Sequence, residues 1–132
     1  MVIMMIDKQI VGSSDFSFDY FLKGGFIGWK CPKCSDENEL KLKIYQSGQL
    51  IEKLDQQLID QLVEKNIVNI RDESINIDSH LRKYVLWRMN AMFEIIKCKS
   101  CSQEVIAIFG MAEIQPGREY VQFKGMWSLK ST

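Results

Sequence analysis

Apolar and polar residues alternate at every second position in two stretches of the chain, and each stretch adjoins a pair of cysteines. From Leu40 to Ile44 the apolar residues alternate with lysines. From Val85 to Ile95 every other residue is apolar, and the stretch continues to Cys98. Because successive side chains of a β-strand point to opposite faces, this period predicts two strands, each with one buried and one solvated face.

A third stretch has the spacing of a helix. Apolar residues recur every three or four positions at Leu54, Leu58 and Leu62, with charged and amide residues between them. This spacing predicts one amphipathic helix at about residues 49–65. We expect its polar face to be solvated, and a groove for a partner helix is the open alternative.

Further strands are predicted near both ends of the chain. The apolar residues 1–6 predict an N-terminal strand, residues 104–109 a hairpin partner for the preceding strand, and residues 120–129 a last strand after the turn at Pro116–Gly117. Residues 16–22 fit a strand or a short helix equally well. The predicted fold class is therefore α+β, a mainly antiparallel β-sheet with one inserted amphipathic helix.

Length and composition fit one globular domain that covers residues 1–132. A chain of 132 residues is long enough for one domain and short for two. Hydrophobic residues make up 46% and charged residues 26%, which is the balance of a globular protein. The 7 Phe, 3 Trp and 7 Met supply a real core, so a metal need not hold the fold alone.

Charge and targeting signals restrict the possible functions. The 17 Lys and Arg residues are balanced by 17 Asp and Glu residues, whereas a dedicated duplex-DNA binder usually carries a basic excess. Residues 1–6 lack the basic region and the longer apolar core of a signal peptide. No apolar run approaches the roughly 18–20 residues that cross a bilayer. We therefore expect a cytoplasmic protein with no membrane partner.

The four cysteines form two Cys-x-x-Cys pairs, Cys31-Pro-Lys-Cys34 and Cys98-Lys-Ser-Cys101. In a cytosol that keeps thiols reduced, such pairs favour metal binding over disulfides. Two intervening residues let both sulfurs of one turn face the same ion, and two turns supply the four soft ligands of a tetrahedral structural zinc site. Cys31, Cys34, Cys98 and Cys101 are therefore predicted to bind one structural Zn²⁺ ion.

The segments around these pairs resemble the zinc-ribbon fold group. The resemblance rests on Phe26-Ile-Gly-Trp-Lys-Cys-Pro-Lys-Cys34 and Ile96-Lys-Cys-Lys-Ser-Cys101, and the second segment is also similar to uncharacterised small bacterial zinc-ribbon proteins. It implies two hairpins tipped by cysteines, with ribbon halves at 26–45 and 93–109. Many ribbons separate their pairs by about 15–20 residues. Here the insertion 46–92 lies between the halves, so we expect a ribbon embedded in a larger α+β domain.

Three other interpretations of the cysteines are weaker. The Cys-Pro-x-Cys motif of thiol oxidoreductases lies at a helix N-terminus, whereas Cys34 precedes a predicted strand. Four reduced thiols without a metal would leave the paired spacing unexplained. A catalytic zinc keeps an open position and usually has a His or carboxylate ligand. The single histidine, His80, lacks a His-x-Glu signature, so we expect no enzyme activity.

Four lysines flank the cysteine pairs, namely Lys30, Lys33, Lys97 and Lys99. They can offset the negative charge of a four-thiolate zinc centre, or they can contact phosphate or another partner. We favour the first role because the basic excess around the cysteines is small. Aromatic residues can stack on bases, but most of them occupy apolar strand positions and are expected in the core: Trp29, Trp87, Phe93, Phe109, Phe123 and Trp127.

These observations predict a non-enzymatic zinc-binding module that acts through protein–protein interaction, as an adaptor, inhibitor or regulatory subunit, with a purely structural zinc. Such a module should expose an apolar or aromatic patch, or an unpaired sheet edge. The alternative is a nucleic-acid-binding zinc ribbon, which should bind oligonucleotides at low salt through Lys33 and Lys99. A second alternative is an enzyme that uses the metal or the thiols, and it requires a carboxylate-lined cleft that the sequence does not indicate.

Overall fold

The computed structural model describes residues 4–12, 17–19, 24–43, 46–72, 82–87, 89–115 and 118–131. Strands predominate in these segments, and they pair antiparallel, which confirms the predicted α+β class. In chain order the elements are β1 (Met4–Gly12), β2 (Ser17–Asp19), β3 (Gly24–Lys30), β4 (Glu37–Lys43), β5 (Gln49–Leu50), a 3-10 helix (Ile51–Lys53), α1 (Gln56–Glu64), β6 (Asn69–Ile70), β7 (Tyr84–Leu86), β8 (Met89–Lys97), β9 (Glu104–Gln115) and β10 (Arg118–Ser131).

Seven strands form a large antiparallel sheet in the order β1-β10-β9-β8-β7-β6, with β5 paired to β8. The predicted hairpin partner of the strand before Cys98 is β9, and the two strands pair along eight positions that end at Lys97 and Glu104. Because β9 is central and covered on both faces, all residues from Val105 to Gly110 are buried. This explains why its apolar run is continuous rather than alternating.

The other three strands form a small antiparallel sheet in the order β2-β3-β4. It covers one face of the large sheet, and the inner residues of both sheets form what we call the small-sheet cluster, which includes Ile27, Trp29, Leu40, Leu42, Val105, Ala107 and Phe109. The opposite face of the large sheet packs against α1 in the helix cluster, which includes Leu58, Leu62, Ile106 and Ile108. The described residues thus form three layers, helix, large sheet and small sheet.

The α-helix is shorter than its apolar spacing predicts. It covers Gln56–Glu64, whereas the prediction placed it at about residues 49–65. Gln49–Leu50 pair with β8 instead, and the 3-10 helix Ile51–Lys53 buries Ile51. Asp55 then precedes the helix in an extended conformation. The period of the apolar residues did not distinguish these elements, because a strand end and a 3-10 turn bury the same positions as a longer helix.

The predicted strand from Val85 to Ile95 is interrupted at Trp87. The chain reverses there between β7 and β8, and Leu86 pairs with Met89 across the turn. Trp87 has a φ of 55°, a left-handed conformation that costs about 1–2 kcal/mol for a residue with a Cβ atom. The alternation therefore predicted the burial of Val85, Met89, Ala91 and Phe93 correctly. It did not predict the reversal of the chain or the exposure of Trp87 and Ile95.

Both ends of the described chain are strands, as predicted. The N-terminal strand continues to Gly12, and the last strand spans Arg118–Ser131. Of residues 16–22, Ser17–Asp19 form a strand, and the others lie outside the described residues, as does the predicted turn at Pro116–Gly117. In the part of the chain that the structure describes, no helix has the length and apolar character needed to span a bilayer.

The carboxyl group of Glu94 is partly buried among apolar side chains, where its charged form is poorly solvated. Glu94 of β8 is half-buried between Met92 and Ile96, which pack against the small-sheet cluster. Its Oε2 atom is buried and has no hydrogen-bond partner among the described residues. Desolvation raises the pKa of this carboxyl above its ordinary value, because burial penalises the charged form.

We expect Glu94→Gln to stabilise the fold at neutral pH, by on the order of 1 kcal/mol. With a raised folded-state pKa, the folded state binds more protons than the unfolded state. The wild-type stability should therefore fall as pH rises from the ordinary Glu pKa of about 4.3 through the raised value. Urea denaturation between pH 4 and 8 would measure this, with the exposed Glu52→Gln as control. Equal pH profiles for wild type and Glu94→Gln would contradict the prediction.

Candidate metal centre

Each cysteine pair lies in the turn of a hairpin, and the two hairpins belong to different sheets. Cys31 and Cys34 connect β3 to β4 in the small sheet, and Cys98 and Cys101 connect β8 to β9 in the large sheet. These hairpins correspond to the ribbon halves predicted at 26–45 and 93–109, although β8 already begins at Met89 within the predicted insertion 46–92. The cysteines therefore meet where the two sheets end side by side.

The two turns have the same backbone geometry. The amide of the first cysteine donates to the carbonyl five residues later, at 2.9 Å from Cys31 to Asp36 and at 2.9 Å from Cys98 to Gln103. The residue after the second cysteine has a left-handed φ in both turns, 65° at Ser35 and 64° at Ser102. Each amide of these serines donates back to the carbonyl of the first cysteine of its turn. These hydrogen bonds fix the conformation of each turn, in which both sulfurs face the cysteines of the other hairpin.

The four cysteine sulfurs form one cluster. All lie within 4.8 Å of one another, and the cross-hairpin distances between Sγ atoms are 3.5 Å for Cys31 and Cys101 and 3.6 Å for Cys34 and Cys98. All four are free thiols. Four sulfurs bound tetrahedrally at about 2.3 Å from a zinc ion would be separated by about 3.8 Å. The donor set and its spacing thus fit a metal ion, and the cluster is compatible with a structural metal site.

The first cysteine of each pair is shielded and the second is more accessible. Cys31 and Cys98 are 1% and 2% exposed, whereas Cys34 is exposed and Cys101 is half-buried. Both buried cysteines belong to the small-sheet cluster. A metal bound here would therefore be held against the hydrophobic core on one side and would lie near solvent on the other.

Thiols of the cluster have pKa values shifted in opposite directions. The backbone amide of Ser100, more than any other group, lowers the pKa of the Cys98 thiol to about 6. For Cys34, the amide of Asp36 acts to lower the pKa, but desolvation and the neighbouring thiols outweigh it and raise the value to about 12. Four thiolates at this spacing repel one another. A bound cation would offset that repulsion, so the cluster is suited to bind metal with release of protons.

Three polar residues that no sequence motif indicated, Asp36, Asn38 and Ser100, connect the two turns. The hydroxyl of Ser100 donates to the carboxylate of Asp36, which lowers the pKa of that carboxyl. The side chain of Asn38 contacts both Lys99 and Cys98. Isolated polar residues beside a cysteine pair have no characteristic spacing, so only their closeness to one of the cysteine pairs in the sequence marked them. The structure shows that they link segments about sixty residues apart.

The four flanking lysines, Lys30, Lys33, Lys97 and Lys99, are all exposed. Two of them contribute to the turns through their backbone, since the amide of Lys33 donates to Cys31 Sγ at 3.4 Å and that of Lys99 donates to Asn38 Oδ1 at 3.0 Å. The charge of Lys99 also acts on the Asp36 carboxylate and helps to lower its pKa. His80, the single histidine, lies outside the described residues.

Most of the aromatic residues considered for stacking are in the core, as predicted. Trp29, Phe93, Phe109, Phe123 and Trp127 are buried. Trp87 differs, with 45% of its surface exposed and the Lys124 ammonium 5.6 Å from the centroid of its ring. Its exposure follows from the turn between β7 and β8.

Comparisons of the chain with protein-family models, with curated proteins and with solved structures give no match. No relative therefore supports the resemblance to the zinc-ribbon group. A functional assignment has to rest on the cysteine cluster and on the surfaces around it.

Proposed function

We propose that this protein is a non-enzymatic binding module in which one structural zinc ion, held by Cys31, Cys34, Cys98 and Cys101, ties the two sheets together. The observation that carries the proposal is the cluster of four thiols at the ends of two separate sheets. Because residues 35–97 separate the two pairs, a metal would close a long loop of the chain and hold the β3–β4 hairpin against the β8–β9 hairpin. Its role is that of a cross-link between layers.

The donor set favours a structural over a catalytic metal. Catalytic zinc sites use three protein ligands and keep a fourth position for water or substrate. Among the described residues, the cluster consists of four sulfurs and includes no carboxylate. Four thiolates complete a tetrahedral zinc sphere, so substrate has no coordination position. This supports a non-enzymatic role.

The zinc-ribbon resemblance gains support from the position of both pairs in hairpin turns with matching hydrogen bonds. The assignment to that group is part of the proposal. The main difference between this protein and the zinc ribbon that the resemblance implies is the placement of the two hairpins in different sheets. In this arrangement the insertion supplies α1 and strands of the large sheet, and the ribbon is part of a three-layer domain.

The proposed partner is another protein. A module of this kind should expose apolar side chains, and four large ones are exposed on the described surface: Phe26, Ile70, Trp87 and Ile95. Trp87 is the strongest anchor among them, because tryptophan is enriched among the residues that dominate binding energy at protein interfaces. It lies at the tip of a tight turn in a left-handed conformation, and strained exposed residues of this kind are often found at functional sites.

One observation favours nucleic-acid binding as the second candidate. Phe26 is 53% exposed and lies directly opposite Lys41 on the neighbouring strand β4. An exposed aromatic ring beside lysine on a sheet face can stack on an unpaired base while the lysine contacts phosphate. Binding of labelled single-stranded oligonucleotides at low salt that is lost in Phe26→Ala would support this candidate. No binding by the wild-type chain would eliminate it and leave the protein partner.

We expect the protein purified without chelator to contain about one zinc ion per chain. Elemental analysis by mass spectrometry would measure the metal, and thermal unfolding with and without a strong chelator would measure its contribution to stability. Lys53→Ala is a suitable control, because it removes an exposed lysine of the 3-10 helix and leaves both cysteine turns unchanged. Clearly less than one metal ion per chain would refute the structural site, and a stoichiometric iron content would refute zinc as the metal.

A further inference from the structure

Asn38 is the side chain that joins the two cysteine turns and also contacts a sulfur. It lies on β4, opposite Trp29 of β3, and it is half-buried. Its Oδ1 atom accepts a hydrogen bond from the amide of Lys99 at 3.0 Å. Its Nδ2 group donates to the carbonyl of Asp36 at 3.2 Å and to Cys98 Sγ at 3.4 Å. One amide group thus contacts its own hairpin, the backbone of the other hairpin, and a candidate ligand.

The surrounding groups determine which way this amide faces. The Lys99 amide can only donate, so the atom that faces it must be the oxygen of Asn38. The Asp36 carbonyl can only accept, so the other atom must be the nitrogen. The NH₂ group therefore points at the Cys98 sulfur as a donor, and the sulfur takes the role of acceptor. An N–H donor in this position stabilises the negative charge that a metal-bound thiolate carries.

We propose that Asn38 is a positioning residue for the metal centre. From the opposite hairpin, its side chain holds the Cys98 sulfur in place. This inference rests on the proposed function. The contact links residues sixty positions apart in the sequence and couples the small sheet to the turn of the large sheet. Asp36 also reaches the second turn, through Ser100, but that contact does not involve a sulfur. Groups that orient metal ligands in this way typically change metal affinity by about 10–100-fold when removed.

The test uses Co²⁺ as a spectroscopic probe, with its affinity measured by competition against a chromophoric chelator. Asn38→Ala removes the donor, and Asn38→Asp keeps an acceptor for the Lys99 amide but places a carboxylate oxygen against the sulfur. We expect both variants to bind Co²⁺ about 10–100-fold more weakly than wild type, with Asn38→Asp the weaker of the two. Asn69→Asp makes the same chemical change at an exposed position of β6 and should bind like wild type.

A second readout separates a direct effect on the sulfur from a general loss of structure. Without the donor, the sulfur electrons are less stabilised, so the sulfur-to-cobalt charge-transfer band of Asn38→Ala should move to lower energy. Far-UV circular dichroism would check that the variants fold, and if either fails, Asn38→Leu, which has a similar volume and no N–H donor, replaces it. Wild-type affinity and an unchanged band in the Asn38 variants would overturn this role while leaving the metal site intact. Failure of wild type to bind Co²⁺ would refute the proposed metal site, and this role with it.

Discussion

Replacing Cys98 with serine should abolish tight zinc binding and remove the stability that the metal contributes. Cys98 is buried at the junction of the two sheets and receives donors from Asn38 and from backbone amides of its own turn. A structural zinc can contribute on the order of 10 kcal/mol of apparent binding energy to folding. Because the sheets here also share a hydrophobic core, we expect the variant to fold with a stability lower by several kcal/mol.

The measurement compares thermal unfolding of wild type and Cys98→Ser, each with zinc and with chelator. Wild type should lose stability on chelation, whereas Cys98→Ser should unfold at the same temperature in both conditions. The exposed Cys34→Ser should also lose the chelator response, since it removes a ligand of the same ion. A chelator-sensitive Cys98→Ser that still contains one zinc per chain would show that the metal binds elsewhere.

Replacing Phe109 with alanine should cost about 3–5 kcal/mol of unfolding free energy. Its side chain is 0% exposed and belongs to the small-sheet cluster, on a strand that is buried on both faces. Its surroundings are tightly packed: a Cβ atom at Gly48 would clash with the Phe109 ring. Because packed layers cover both faces of β9, the site has little freedom to collapse around the missing ring, so the cavity remains.

Urea denaturation would give the change in free energy, and Phe26→Ala provides the matched control. Phe26 is the same residue type on a strand but lies on the outer face of the small sheet, 53% exposed. Its replacement should cost on the order of 1 kcal/mol, clearly less than that of Phe109, since about half of its surface stays exposed to water in the folded state. Equal losses for the two variants would contradict the three-layer arrangement of the core.

The sequence by itself determined the local elements and the chemistry of the site. Alternation from Leu40 to Leu42 marked the buried face of β4, and the spacing of Leu58 and Leu62 marked the buried face of α1. A strand repeats its facing every two residues and a helix about every 3.6 residues. Both buried faces can therefore be predicted from residues that are close together in the sequence. The Cys-x-x-Cys spacing likewise indicated two pairs of soft ligands.

The tertiary structure decided how these elements pair and where they end. Alternation shows which face of a strand is buried but not which sheet covers it, so neither the placement of the two cysteine hairpins in separate sheets nor the turn at Trp87 followed from the pattern. The role of Asn38 depends on a contact across sixty positions of the chain, and such contacts arise only when layers pack. The cysteines therefore predicted a candidate metal site, and the packing of two sheets brought its four sulfurs together.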